Sequence, residues 1–136
     1  MALNDSLLAE PRIADNMDLS AIEALVDLHI GQGRASEAEA LLTSALEKAP
    51  SWGPGELKLG LLLIQMGRNP ESIPHLRKAT ELMPDSAEAF YEFGTAAVFK
   101  VGTLTLIPQG QEALRKAALL KPDWAEAQYA LGRSCL

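Results

Sequence analysis

Residues 37–50 read EAEALLTSALEKAP, and residues 71–84 read ESIPHLRKATELMP. Ala38, Leu42, Ala45 and Pro50 of the first stretch return 34 positions later as Ser72, Leu76, Ala79 and Pro84. A third copy, GQEALRKAALLKP at residues 110–122, stands 38 positions further on and supplies Gly110, Leu114, Ala117 and Pro122. The segment ahead of each copy repeats too. Ile22, Leu25, Val26 and His29 match Glu56, Leu59, Gly60 and Leu63, then Phe90, Phe93, Gly94 and Ala97, then Gln128, Leu131, Gly132 and Cys135. Self-similarity at a fixed period decides the fold of such a chain before local propensity does.

Within each set the apolar positions are three and four apart, the helical period and not that of a strand. Each unit therefore reads as two amphipathic helices. The turn between them falls at Gly31-Gln32-Gly33-Arg34 and at Met66-Gly67-Arg68-Asn69, where glycine supplies the left-handed backbone that ends a helix. Pro50, Pro84 and Pro122 stop the second helices, because proline disfavours helix at the residue before it. Asp85 with Glu88, and Asp123 with Glu126, have capping-box spacing for the helix that follows. Small residues set the packing. Gly60, Gly94 and Gly132 on first helices, with Ala45, Ala79 and Ala117 on second ones, let backbones approach. Leu42, Leu59, Leu76, Phe93 and Leu114 fill the space beside them. One helix pair cannot bury its apolar face alone, so stacked units share a core.

A 34-residue helix–turn–helix with Leu-Gly on the first helix, Ala-x3-Leu-x2-Ala on the second and a closing proline resembles the tetratricopeptide repeat. The resemblance covers about Leu19 to Leu136, as units at 19–52, 53–86 and 87–124 and a half unit at 125–136. It implies an all-α fold, a right-handed superhelix (α-solenoid) of antiparallel helix pairs. Two departures stand out. Val26 replaces the expected glycine, which implies slightly splayed helices in the first unit, and His29 and Leu63 stand where the family often has an aromatic.

Three places break the pattern. The third unit carries four extra residues between Ala97 and Gly110, about one helical turn. They fit a tolerated surface insertion, or a longer first helix with Pro108 opening the second. Leu104, Leu106 and Ile107 are costly to expose there, so they cover neighbouring helices or touch a partner. Residues 1–18 lie outside the repeat as an N-terminal tail or capping segment, with a short helix over Leu3, Leu7 and Leu8 ending near Pro11. The last helix has no second helix to cover it, and its apolar Ala127, Ala130, Leu131 and Leu136 point to a truncated or self-associating end.

Composition narrows the function. A chain of 136 residues that is 48% hydrophobic and 22% charged has material for one core. The net charge of −6 argues against nucleic acid, whose phosphates need a basic face. The most apolar stretch, Leu57 to Met66, is interrupted by Lys58, Gly60 and Gln65 and is too short for membrane insertion. The N-terminus lacks a signal-peptide pattern, so the expected location is cytoplasmic. One cysteine, Cys135, forms neither an internal disulfide nor a metal-binding pair. The two histidines are 46 positions apart, and no nucleophile, base and metal set comes together. The reading is that the chain is not an enzyme and needs no cofactor or metal.

What remains is binding of a protein or peptide partner. The resemblance implies a concave groove lined by first helices. Repeat register places Ser20, Glu23, Asp27 and Ile30 there from the first unit, and Leu57, Lys58, Leu61, Ile64 and Gln65 from the second. The third gives Glu88, Tyr91, Glu92, Thr95 and Val98, with Tyr129 and Arg133 beyond. Some family members hold the C-terminal carboxylate of chaperones with Lys and Asn at sites that here carry Glu23, Asp27, Glu88 and Glu92. Acids there repel a carboxylate, so a receptor of that kind is not expected. An apolar floor flanked by acids suits a ligand with apolar anchors and basic residues. The alternative is a structural or oligomerisation module of a larger assembly, self-associating through its C-terminal helix.

Overall fold

A computed structural model describes residues 19–135. All regular structure among them is helical. The chain divides into two compact units, Met1–Gly55 and Glu56–Leu136. The short helix expected over Leu3 to Leu8 lies outside the described residues.

The first unit is the helix pair α1 (Leu19–Gly31) and α2 (Ala35–Lys48). In α2 the buried side chains are Ala38, Leu41, Leu42, Ala45 and Leu46, the i, i+3, i+4, i+7 stripe of a helix with one inward face. Ile22 and Val26 of α1 are fully buried, as are Ala38, Leu42 and Ala45 of α2. The turn forms as its glycines require. Gly33 has φ +77°, and the Arg34 amide donates to the His29 carbonyl at 2.8 Å, satisfying one of the carbonyls that a helix end leaves open. Trp52 is buried beyond α2, and its ring occupies the space that a Cβ on Gly55 would need.

The second unit takes up α3 (Gly53–Gln65) from Glu56 onward. It continues through α4 (Asn69–Leu82), α5 (Ala87–Thr95), a π-helical segment π1 (Ala96–Val101), α6 (Leu106–Leu120) and α7 (Ala125–Ser134). Ile73, Leu76, Phe93, Ala96, Ala97 and Ala113 form a buried cluster, against which Leu57, Ile64, Phe90, Val101 and Leu106 pack. A buried Leu such as Leu76 contributes about 1.5–3 kcal/mol relative to exposure. The glycines bring the pairs together: a Cβ on Gly60 would lie 2.5 Å from Leu76 Cδ2, and one on Gly94 would lie 2.9 Å from the Gly110 carbonyl oxygen. At Gly132 a Cβ would meet nothing within 4 Å, so this third glycine of the series has no close approach to permit.

The structure corrects the helix starts. Ser86, not Asp85, caps α5: it has extended backbone, and its hydroxyl accepts from the Ala89 amide at 3.1 Å. At α7 the cap position belongs to Trp124, with no side-chain cap bond, so Asp123 does not serve there. Both acids stand one residue too early, because the chain turns into the helix only after them.

Two of the four extra residues lengthen the first helix, as one of the two sequence readings has it. The extension is π-helical, closed by the Gly102 amide donating to the Ala97 carbonyl five residues back at 2.9 Å, with Gly102 left-handed at φ +68°. Inserted residues inside a helix are commonly absorbed as such a wide turn. Pro108 is the third residue of α6 and not its opener. The three apolar residues part company: Leu106 packs on the core cluster, Ile107 is half-buried, and Leu104 is 89% exposed at the hairpin tip.

Candidate functional site

The sequence places the binding residues on the first helices of the repeats, and the structure shows what each presents. In the first unit Glu23 and Ile30 are half-buried on α1 and Asp27 and Ser20 are exposed. Glu23, Asp27 and Ile30 follow at steps of four and three and so share one face of that helix.

In the second unit Leu57, Leu61 and Ile64 follow the same rule on α3, and all three are half-buried. Leu57 and Ile64 give one flank to the core cluster and leave the other open. Lys58 is half-buried and Gln65 exposed. On α5, Glu88 is exposed while Tyr91, Glu92 and Thr95 are half-buried, and the Thr95 hydroxyl donates to the Glu92 carbonyl at 3.2 Å. Val98 of π1 is half-buried and lies over Gly110 of α6. Burial raises the Glu92 carboxyl above its ordinary range, the negative charge of Glu88 pushes the same way, and Lys100 opposes them. Tyr91 is also raised, first by burial and then by Glu92 and Glu126.

Two aromatic groupings escape a reading by repeat register. Tyr91 of α5 packs on Trp124 at the start of α7, ring centroids 4.6 Å apart and tilted by 43°, and Lys121 lies over the Trp124 ring at 5.0 Å. A cavity of about 540 Å³ opens beside this pair, lined by Asp85, Ser86, Ala87, Glu88, Leu120, Lys121 and Trp124. At the other end of the same helices, the Arg133 guanidinium lies over both Phe99 and Tyr129. Trp124 falls in the loop position held by Trp52 and Ser86 in the other units, and Phe99 falls in the insertion, so the repeat pattern assigns neither a role.

The histidines are structural in setting. His29 is half-buried on α1, with no hydrogen-bond partner for Nδ1 among the described residues. His75 Nδ1 lies 2.8 Å from Oε1 of Glu56, which is 7% exposed at the position where other units carry Ile22 and Phe90. A carboxylate only accepts, so Nδ1 carries the proton. Among the described residues, no group of three or more His, Cys, Asp or Glu could hold a metal ion, and no helix is long and apolar enough to cross a membrane.

No protein-family model matches the sequence, and no curated protein does. Solved structures match well. The crystal structure of MamA aligns with a TM-score of 0.73 at 28% identity, over 87% of this chain and 63% of its own. The first tetratricopeptide domain of Spaghetti (RPAP3), bound to an HSP90 peptide, aligns with a TM-score of 0.78 at 14% identity, over 92% and 96% of the two chains. The fold is that of the tetratricopeptide repeat. The Yersinia enterocolitica type III secretion chaperone SycD, in complex with a peptide of the translocator YopD, aligns at 0.73 with 12% identity, over 85% and 91%. The present chain thus spans a little under two thirds of the MamA chain and nearly all of the two peptide-bound tetratricopeptide structures.

Proposed function

We propose that this chain is a protein-interaction scaffold whose first-helix faces bind an extended peptide or a partner's helix carrying apolar anchors and basic residues. The observation that carries the reading is the open face of the second unit. There Leu57, Leu61 and Ile64 are half-buried on α3, and the acids Glu88 and Glu92 stand on α5, the next first helix. Apolar side chains give affinity when a partner covers them, and flanking acids choose its charge and speed its approach. Spaghetti and SycD each hold a peptide on this fold. Lys58, Gln65, Tyr91, Thr95 and Val98 belong to this face of the second unit, and Glu23, Asp27 and Ile30 on α1 are proposed as a face of the first unit by itself.

The test is binding of a fluorescent peptide with Leu anchors and flanking Lys residues to the wild type and to Glu88→Lys/Glu92→Lys, with Glu23→Lys measured separately. The double reversal is expected to weaken binding at least tenfold, and unchanged affinity refutes the assignment of the groove. A second reading, an assembly module, draws on the open side of Gly132. Repeating the titration at rising protein concentration separates the two, since self-association through α7 would change the apparent affinity and the binding of a monomer would not.

A further inference from the structure

Arg133 is exposed near the end of α7. Its guanidinium carbon lies 4.9 Å from the Phe99 ring centroid and 5.8 Å from that of Tyr129. Tyr129 and Arg133 are four residues apart on α7 and so stack along one face, while Phe99 reaches the pair from π1. Phe99 is 39% exposed and Tyr129 69%. Two aromatic rings thus remain in solvent and hold a side chain that is ordinarily mobile. A guanidinium lying against rings uses its flat faces and leaves its N–H edges free to donate. Among the described residues the Arg133 guanidinium makes no hydrogen bond or ion pair.

The charge around the stack is ordered. Because α6 runs antiparallel to both, α5 and α7 point the same way. On both helices the acids come first and the cations last: Glu88 and Glu92 precede Lys100, and Glu126 precedes Arg133. At the helical rise these separations are about 18 Å from Glu88 to Lys100 and about 10 Å from Glu126 to Arg133. The first end thus carries Glu88, Glu92 and Glu126, with Lys121 over Trp124 among them, and the second carries Lys100 and Arg133 with no acid beside them on either helix.

We infer that the Phe99–Arg133–Tyr129 stack is a receptor for a side-chain carboxylate of the bound segment, so that the partner carries basic residues at one end and an acidic residue at the other and is read in one direction. This rests on the groove reading of the preceding section and adds the polarity of the ligand to it. A single guanidinium edge matches the two oxygens of one carboxylate. Stacking fixes the arginine before the partner arrives, so less side-chain freedom is lost on binding.

Four synthetic twelve-residue peptides with the same Leu anchors test this by fluorescence anisotropy. Two carry Lys at one end and Glu at the other, in opposite order. The third has Gln in place of Glu, and the fourth phosphoserine. One of the two ordered peptides is expected to bind about tenfold tighter than the Gln peptide. Arg133→Gln and Arg133→Lys should both remove that gain while leaving the Gln peptide unchanged, and Tyr129→Leu should reduce it. Equal binding of the Glu and Gln peptides overturns the proposal, as does an Arg133→Gln loss of the same factor for every peptide, which marks a structural role. Tighter binding of phosphoserine overturns the choice of carboxylate. If Glu92→Lys weakens the peptides and Arg133→Gln affects none, this inference alone fails. If Glu92→Lys has no effect or no peptide binds, the groove reading fails with it.

Discussion

Substituting alanine for the repeat glycine separates three sites that the sequence makes equivalent. At Gly94 the new Cβ meets Leu114 Cγ at 2.6 Å and the Gly110 carbonyl oxygen at 2.9 Å. Leu114 is as fully buried as Leu76, but the oxygen belongs to a helix backbone and does not yield without moving α6. Overpacking of that kind costs about 1–3 kcal/mol, and the backbone contact places Gly94→Ala at the upper end. The gain of up to about 1 kcal/mol in helix propensity leaves a net loss near 2 kcal/mol. At Gly60 the nearest atoms are Leu76 Cδ2 at 2.5 Å and Cγ at 2.6 Å, with the Leu76 amide nitrogen back at 3.5 Å. A side chain can turn where a backbone cannot, so Gly60→Ala loses about 1 kcal/mol. At Gly132 nothing lies within 4 Å, and Gly132→Ala gains about 0.5–1 kcal/mol from propensity alone. Urea unfolding followed by helical circular dichroism reads these as midpoints. With a slope of about 1–3 kcal/mol per molar, Gly94→Ala and Gly132→Ala should stand on opposite sides of the wild type, about 1 M or more apart. A destabilised Gly132→Ala, or a Gly94→Ala as stable as the parent at unchanged slope, would refute the account of why these glycines are there.

Two further outcomes follow from the polar groups. His75→Ala leaves the Glu56 carboxylate buried without its partner and should cost about 1 kcal/mol, the low end of the usual penalty because His75 is partly exposed. Glu56→Leu/His75→Leu should recover most of that loss by the same urea assay, since an apolar pair suits the slot as Ile22 and Phe90 do in the other units. The raised pKa of Glu92 works against folding at neutral pH. A carboxyl raised on folding holds its proton longer in the folded state, so the stability is present below the unfolded value of 4.5 and is lost as pH rises through the folded one. Glu92→Gln should therefore melt higher than the wild type at pH 7, with the difference fading as pH falls below 4.5; a difference independent of pH would contradict the assignment.

The helices were legible because two independent signals agree in them. The stripe Ala38, Leu42, Ala45 repeats within a helix at 3.6 residues and between helices at 34, so burial and register point the same way. Caps were less legible. Asp85 and Ser86 are adjacent and chemically equivalent as caps, and only the backbone of Ser86 at φ −90° and ψ 105° decides between them. Glu56 was read simply as the counterpart of Ile22. Its burial depends on His75, 19 positions away, which a helical period does not link. At the candidate site the first-helix residues were nameable from register, since a face needs only the period. Tyr129 and Arg133 were nameable in the same way, but Phe99, which joins them into a stack, was not, because it lies in the insertion, the one place where register carries no information.

That insertion also changes what a repeated surface can tell a partner. Gly60 meets Leu76, 16 residues on, whereas Gly94 meets Leu114, 20 residues on, so all four added residues sit between the two touching points and none beyond them. The crossing keeps its place while the hairpin tip grows: α5 with π1 spans 15 residues, 87–101, against 13 in α3. The longer helix carries the tip further out, with Leu104 on it. A ladder of like rungs offers a ligand several equal settings, one step apart. A single rung that stands proud breaks that equivalence, as a raised tooth marks one position on a gear.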